Sequence, residues 1–179
     1  MVNEVKIHDK TFVTFINAER IQARVKSMGA EIDRDYVGKR PLLIGILNGS
    51  VIFMADLLRH ISTPCEITFI RVSSYQGTES TGAVKSMMGL TENIEGRDVI
   101  IVEDIIDTGD TAKYLLEELQ KKNPASLKMA TILFKPSALR HPIEPDYSGF
   151  EIPPAFVVGY GLDYDNLGRN LADIYQLKS

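Results

Sequence analysis

The sequence has little of several features that mark particular classes of protein. It has one cysteine, Cys65, and no tryptophan among 179 residues. A single cysteine excludes an internal disulfide, and the three histidines stand too far apart in sequence for a zinc motif. No apolar run approaches the roughly 18 residues of a membrane span, and no apolar segment follows a basic amino terminus. These absences predict a cytoplasmic protein without a signal peptide or a membrane partner.

Positive charge is also scarce. The chain has 20 Lys+Arg against 24 Asp+Glu, a net charge of −4, and no run of five basic residues. This balance argues against broad affinity for nucleic acid. Two familiar phosphate-binding signatures are absent as well: the P-loop pattern Gly-x-x-x-x-Gly-Lys-Ser/Thr, and Gly-x-Gly-x-x-Gly at a strand-to-helix turn. The sequence is therefore typical of neither a P-loop nor a dinucleotide-binding protein.

What the sequence does contain is an alternation of strands and helices. With 44% hydrophobic and 25% charged residues, it suits one globular domain with a substantial core, and it has no repeat or linker. Apolar residues recur at helical spacing in three segments: 17–36, where Asn17 is the expected cap, 50–61 and 112–122. Apolar runs of strand length form a second set: 41–47, 65–72, 99–102, 127–134 and 155–161. This alternation predicts an α/β fold with a mostly parallel twisted sheet flanked by helices.

Ligands of such sheets bind at the carboxyl ends of the strands. Glu103 and Asp104 lie at one such end, and residues 107–111 (Asp-Thr-Gly-Asp-Thr) lead into the next helix. Helix capping alone would explain the turn. It would not explain the two carboxylates, because their burial is costly unless they meet a cation or hydroxyl donors. Backbone N–H groups at a helix start suit a phosphate, and carboxylates suit ribose hydroxyls or Mg2+, so the segment predicts a phosphorylated-sugar site.

The segment VIIVEDIIDTGDT, residues 99–111, resembles the phosphoribosyl-pyrophosphate motif of the type I phosphoribosyltransferases. Further segments resemble the hypoxanthine-guanine branch of that family, in the family's order: 42–58, 73–82, 133–138 and 156–171. The resemblance extends from about residue 21 to the end. It implies the type I phosphoribosyltransferase fold over residues 1–179. The expected core spans about 20–140, and terminal segments form a small hood, with the purine-binding part at about 141–179.

The resemblance implies roles for individual residues around the sugar and its phosphates. Glu103 and Asp104 would bind the ribose hydroxyls, and the turn would enclose the 5-phosphate with Asp107, Thr108, Gly109, Asp110 and Thr111. Asn48 and Gly49 match the pyrophosphate-binding loop, in which a strained peptide bond is expected, and Arg169 matches an arginine that contacts the same group. Asn48 stands where many relatives have lysine. We therefore expect the backbone of this loop, rather than a charge on it, to bind pyrophosphate.

The resemblance also implies how the purine is bound. Phe156 resembles the aromatic residue that stacks on the base, and Val157 the residue whose backbone reads its edge. Lys135 resembles the lysine that donates to the 6-oxo group, which disfavours the amino group of adenine. Asp163 resembles a metal ligand that would join the adjacent carboxylates Glu103 and Asp104 around Mg2+. Each of three residues also has a simpler alternative: Phe156 as a core aromatic, Lys135 as a solvated loop lysine and Asp163 as a turn residue.

The activity implied by the resemblance is purine salvage. The phosphoribosyl group would pass from phosphoribosyl pyrophosphate to a 6-oxopurine, hypoxanthine or guanine, in a Mg2+-dependent reaction that gives IMP or GMP and pyrophosphate. Asp107 is the candidate catalytic acid/base at the imidazole ring of the purine. Ser74 and Tyr75 head the polar segment 73–87, which we predict to be a lid loop that excludes water. The resemblance implies a homodimer or homotetramer.

Three alternatives stay open on sequence alone. A regulator could keep this fold as a ligand sensor and bind nucleic acid, although the chain is acidic and leaves no room for a DNA-binding segment. A receiver-like module would spread its acidic residues over several strand ends, whereas three of them lie within residues 103–107 here. A transferase that prefers guanine or xanthine would differ in contacts to the two-position of the purine, which the sequence does not specify.

Overall fold

The computed structural model describes residues 3–75 and 84–178. Its strands and α-helices are β1 (Glu4–Ile7), β2 (Lys10–Ile16), α1 (Ala18–Asp35), β3 (Leu42–Leu47), α2 (Val51–Leu58), β4 (Glu66–Tyr75), β5 (Val84–Met88), β6 (Asp98–Ile106), α3 (Asp110–Gln120), β7 (Ser126–Phe134), β8 (Tyr147–Glu151), β9 (Val157–Val158) and β10 (Ile174–Leu177). Among the helices in these two ranges, none combines the length and the apolar character needed to cross a membrane.

Six strands form the main sheet, in the order β5-β4-β3-β6-β7-β8. Neighbouring strands from β4 to β8 run parallel, and β5 pairs antiparallel at the edge. The central strands are buried on both faces, which explains the uninterrupted apolar runs at residues 42–46 and 99–102. The predicted α/β fold with a mostly parallel sheet is confirmed.

Helices cover both faces of this sheet. Successive side chains of a strand point to opposite faces, so Leu43 joins the core beneath α1 and α2, whereas its neighbour Leu42 joins the core beneath α3. The predicted cap of α1 is also present: the side-chain oxygen of Asn17 accepts a hydrogen bond from the backbone N–H of Arg20 at 3.0 Å. The helices therefore hold the strands in place, and the strand ends carry the loops of the site.

The two ends of the chain form a second sheet, in the antiparallel order β1-β2-β10-β9. Ile7, Phe12 and Val158 form a small core of its own behind this sheet. The hood that the sequence predicted from terminal segments is therefore present. Strand β8, which also falls within residues 141–179, joins the main sheet instead.

The polar segment 73–87 departs in part from the predicted loop. The backbone of β4 continues to Ser74 and Tyr75, which pair with Lys85 and Val84 of β5. The sequence of this segment has no apolar periodicity that would predict strands. The strands extend into it because the two chain segments hydrogen-bond to each other. Residues 76–83, the remainder of the predicted lid, lie outside the described residues.

Candidate active site

The site lies where three neighbouring strands end at one edge of the main sheet. Strands β3, β6 and β7 are parallel neighbours, so the residues that follow each of them meet at this edge. Asn48 and Gly49 follow β3, Asp107 follows β6, and Lys135 follows β7. A cavity of about 250 Å³ opens here, and residues 103–112 line it. Most of the residues singled out in the sequence thus come to one place.

The turn after β6 has the shape of a phosphate site at a helix start. Helix α3 begins at Asp110, and Gly109 precedes it with a φ of 82°, a left-handed conformation that favours glycine. The carboxylate of Asp110 accepts a hydrogen bond from Thr108 Oγ1 at 2.9 Å. It also lies 2.8 Å from Nε2 of His141 and 3.3 Å from Nη1 of Arg140. The sequence predicted neither contact, and together they hold the Asp110 carboxylate at the helix start.

The loop after β3 packs directly against a carboxylate of β6. A Cβ atom on Gly49 would lie 1.5 Å from Oδ2 of Asp104, so only glycine fits between them. The peptide bond between Leu47 and Asn48 is cis. On the other side of the loop, a Cβ atom on Gly161 would lie 2.1 Å from the carbonyl oxygen of Gly49. The loop backbone is therefore held between β6 and the segment after β9.

Asp104 carries a charge that the protein interior disfavours. Burial raises the pKa of its carboxyl group to about 6. The backbone N–H of Ile105, which donates to Oδ1 at 2.8 Å, and the nearby Arg169 act in the opposite direction, while Asp163 raises the pKa further. Glu103, the preceding residue of β6, is buried as well.

Arg169 connects the remaining predicted residues on this side of the site. Its Nη2 lies 2.6 Å from Oδ1 of Asp163, and its Nη1 donates to the carbonyl oxygen of Gly161 at 2.7 Å. Asp163 and Arg169 also act electrostatically on Asp104. Asp163 is therefore more than a turn residue, although its Oδ2 does accept from the backbone N–H of Asn166. Within the described ranges, no three His, Cys, Asp or Glu side chains converge into a preformed metal cluster.

Lys135 and Asp107 form an ion pair at the first residue of the turn. Nζ of Lys135 lies 2.7 Å from Oδ2 of Asp107. The Lys135 side chain is only 8% exposed, whereas that of Asp107 is 50% exposed. Lys135 is therefore not a solvated loop lysine, and the simpler alternative for this residue is wrong. The pair joins two predicted residues across neighbouring strand ends.

Phe156 lies on the hood and is 45% exposed. The alternative of a core aromatic is therefore wrong. Its ring stands beside those of Phe12 and Tyr164, at centroid distances of 6.0 and 5.7 Å, and Nζ of Lys10 lies 5.6 Å from its centroid. The next residue, Val157, is buried in β9. Lys10 and Phe12 were not predicted, because no local sequence pattern connects β2 to a residue near the other end of the chain.

Comparisons with known proteins agree with this geometry. Residues 15–165 match the phosphoribosyl transferase domain family. The hypoxanthine-guanine phosphoribosyltransferase of Bacillus subtilis is 49% identical over 164 residues, 91% of each chain, and that of Streptococcus pneumoniae R6 is 48% identical over the same length.

Solved structures give the same result. A hypoxanthine-guanine phosphoribosyltransferase from Bacillus anthracis has a TM-score of 0.83 at 36% identity, covering 99% of this chain and 100% of that one. A hypoxanthine phosphoribosyltransferase from Trypanosoma cruzi, solved as a ternary complex with substrates, has a TM-score of 0.87 at 39% identity, covering 92% and 94%. This chain belongs to the hypoxanthine-guanine phosphoribosyltransferases of the type I phosphoribosyltransferase family.

Proposed function

We propose that this protein is a hypoxanthine-guanine phosphoribosyltransferase of purine salvage, which makes IMP or GMP and pyrophosphate from the base and phosphoribosyl pyrophosphate. One observation carries the proposal: the turn of residues 107–111 begins at the Lys135–Asp107 ion pair, and the Gly49–Asp104–Arg169 cluster lies at the end of the strand that leads into it. A base, a sugar phosphate and a pyrophosphate group need three such adjoining subsites. The enzyme names of the relatives favour this function over a ligand sensor.

The Lys135–Asp107 pair suits a 6-oxopurine. The 6-oxo group and N7 stand next to each other on one edge of such a base. Lys135 would donate to the oxo group, and the Asp107 carboxylate would accept the N7 proton as N9 bonds to the anomeric carbon. The two side chains lie 2.7 Å apart in the absence of a base, which supports a joint role at that edge. Phe156 would stack on the base, and the backbone of Val157 would read its edge.

The 5-phosphate would bind at the start of α3. The backbone N–H groups and hydroxyls of residues 107–111 would surround it, with Thr108 and Thr111 as hydroxyl donors around Gly109, and the helix dipole contributes about 0.3–1 kcal/mol for an exposed charge. Asp110 would oppose a phosphate, but Arg140 and His141 lie against its carboxylate. We therefore assign Asp110 a place on the outer side of the turn, with its backbone toward the phosphate.

The pyrophosphate would lie between the Asn48–Gly49 loop and Arg169, whose guanidinium can contact phosphate oxygens in a bidentate manner. Mg2+ fits this end of the site, because the Asp104 and Asp163 carboxylates are hard oxygen ligands and a cation would relieve the desolvation that raises the pKa of Asp104. Glu103 and Asp104 would also bind the ribose hydroxyls. When bound, the ion would neutralise charge on the leaving pyrophosphate.

We also propose that residues 141–179 form the purine-binding part of the hood, that Ser74 and Tyr75 begin a lid, and that the enzyme is cytoplasmic. The hood proposal is supported by the position of Phe156 beside Phe12. Backbone pairing of β4 with β5 supports a hairpin lid. These roles stay predictions.

Limited proteolysis tests the lid. Phosphoribosyl pyrophosphate should change the rate of cleavage between β4 and β5, and equal cleavage rates with and without it would contradict the lid.

Assembly as a homodimer or homotetramer is a further prediction. Large apolar side chains are exposed on α2 and at the start of β4: Val51, Ile52 and Ile67. Exposed apolar side chains on adjoining elements support an interface between copies of the chain. Light scattering on a sizing column should give two or four times the mass of one chain, and a monomer across the micromolar range would contradict the prediction.

Replacing Asp107 by Asn should lower turnover strongly. The amide cannot accept the N7 proton, so kcat should fall about 100-fold or more, while KM for phosphoribosyl pyrophosphate changes little. A spectrophotometric assay with hypoxanthine, phosphoribosyl pyrophosphate and Mg2+ measures both, and Glu117→Gln on the exposed face of α3 is the matched control. Unchanged turnover would remove the acid/base role, and an inactive wild type would favour the ligand sensor.

Replacing Lys135 by Ala should weaken the binding of 6-oxopurines as a class. A hydrogen bond from a charged donor contributes about 1.5–3 kcal/mol, so KM for hypoxanthine and for guanine should each rise by roughly 10-fold or more. KM for phosphoribosyl pyrophosphate should stay within about twofold. Lys121→Ala, at the exposed end of α3, controls for the loss of a positive charge. Retained base affinity in the Lys135 variant would contradict its role.

Replacing Asp104 by Asn should make the protein more stable and less active. The pKa of about 6 in the folded protein lies above the ordinary aspartate pKa of 3.8, so the native state holds the extra proton and this group's contribution to stability falls as pH rises between those values. Urea unfolding should show a gain of about 1–2 kcal/mol for the variant at pH 7.5 that shrinks below pH 5. Activity should fall, because a site ligand is lost. A less stable variant at pH 7.5 would contradict the prediction.

A further inference from the structure

The pyrophosphate end of the site is poor in available positive charge. None of Asn48, Gly49 and the following Ser50 has a charged side chain. Arg169 contacts Asp163 directly and lies near Asp104 as well. Two carboxylates therefore face one guanidinium before any substrate arrives. A pyrophosphate group with its bound cation still carries negative charge, so a second basic group at this end would strengthen binding.

Arg71 lies beside this loop and is the basic group in question. It occupies β4 directly opposite Leu47 in the parallel register, so it is at the same edge of the sheet as the ends of β3 and β6. Its Nη2 donates to Oδ1 of Asn48 at 3.0 Å. Its guanidinium is exposed and makes no ion pair with a carboxylate among residues 3–75 and 84–178.

The contact between Arg71 and Asn48 holds the guanidinium without neutralising it. An amide oxygen accepts one hydrogen bond but carries no net charge, so the full positive charge of Arg71 stays available to an anion. A guanidinium has five N–H donors, and the bond to Asn48 uses one of them. The remaining donors can form the paired hydrogen bonds that phosphate oxygens accept.

We propose that Arg71 is a binding residue for the pyrophosphate group of phosphoribosyl pyrophosphate, and that Asn48 positions its guanidinium at the loop. The proposal rests on the proposed function. Asn48 and Arg71 then act as one unit: the loop supplies an acceptor, and the neighbouring strand supplies the charge. This explains how a loop without a basic side chain serves a substrate group of high negative charge.

The test compares variants that separate charge from hydrogen bonding. Arg71→Ala should raise KM for phosphoribosyl pyrophosphate, and the calorimetric Kd of Mg2+-pyrophosphate, by about tenfold, while KM for hypoxanthine stays within about twofold. Arg71→Gln retains a donor for Asn48 without the charge and should lose as much, whereas Arg71→Lys should retain most of the affinity. Arg40→Ala, which precedes the opposite end of β3, is the matched control, and its pyrophosphate affinity should equal that of the wild type.

A second substitution tests whether position or charge matters. Adding Asn48→Lys to Arg71→Ala returns a positive charge to the loop and should restore most of the lost affinity. The proposal is overturned if Arg71→Gln binds pyrophosphate as tightly as the wild type, because Arg71 would then only support the loop through Asn48. If Arg71→Ala does not fold, the Gln and Lys variants decide. A wild type that forms no nucleotide but binds Mg2+-pyrophosphate through Arg71 would contradict the proposed function and leave this inference standing.

Discussion

The site depends on one steric constraint, the contact of the loop after β3 with the carboxylate of Asp104. Gly49 has no side chain, so the loop backbone reaches a carboxylate that a Cβ atom would displace. Gly161 closes on the same loop from the other side, again because it lacks a Cβ atom. Three chain segments, from β3, from β6 and from the region after β9, therefore meet at van der Waals distance. The positions of Asp163 and Arg169 follow from this contact.

This close packing also accounts for an acidic chain that binds a phosphate-rich substrate. Its net charge is −4, and several acidic residues lie in or next to the site. In the proposed site, backbone N–H groups at the start of α3 would bind an anion without a formal charge, and a cation held by carboxylates would offset charge on the pyrophosphate. The carboxylates would serve sugar and metal, so few basic side chains would be needed. The pKa of about 6 at Asp104 reflects the cost of this arrangement in the free protein.

The sequence predicted well those parts of the site that are continuous in the chain. Residues 99–111 contain a strand, two carboxylates, a glycine turn and a helix start, and local hydrogen bonding is enough to form them in that order. It did not predict contacts between distant segments, such as Phe12 with Phe156 or Arg140 with Asp110. Such contacts follow from strand order in the two sheets, and strand order depends on packing that no single segment encodes.

The Lys135–Asp107 pair gives two reasons to expect a preference for the 6-oxo group. Lys135 would attract an oxygen acceptor, and it would disfavour a base with an amino group at that position. A base that enters between the two side chains must break their ion pair, and Lys135 is buried. A 6-oxopurine replaces the lost acceptor with its own oxygen. An amino group at the same position would offer Lys135 no acceptor, and a buried charge without a hydrogen-bond partner is destabilised. If Lys135 binds the base as proposed, discrimination against adenine would arise from an ion pair that exists before substrate binds, because only an oxo group could replace the carboxylate that Lys135 gives up.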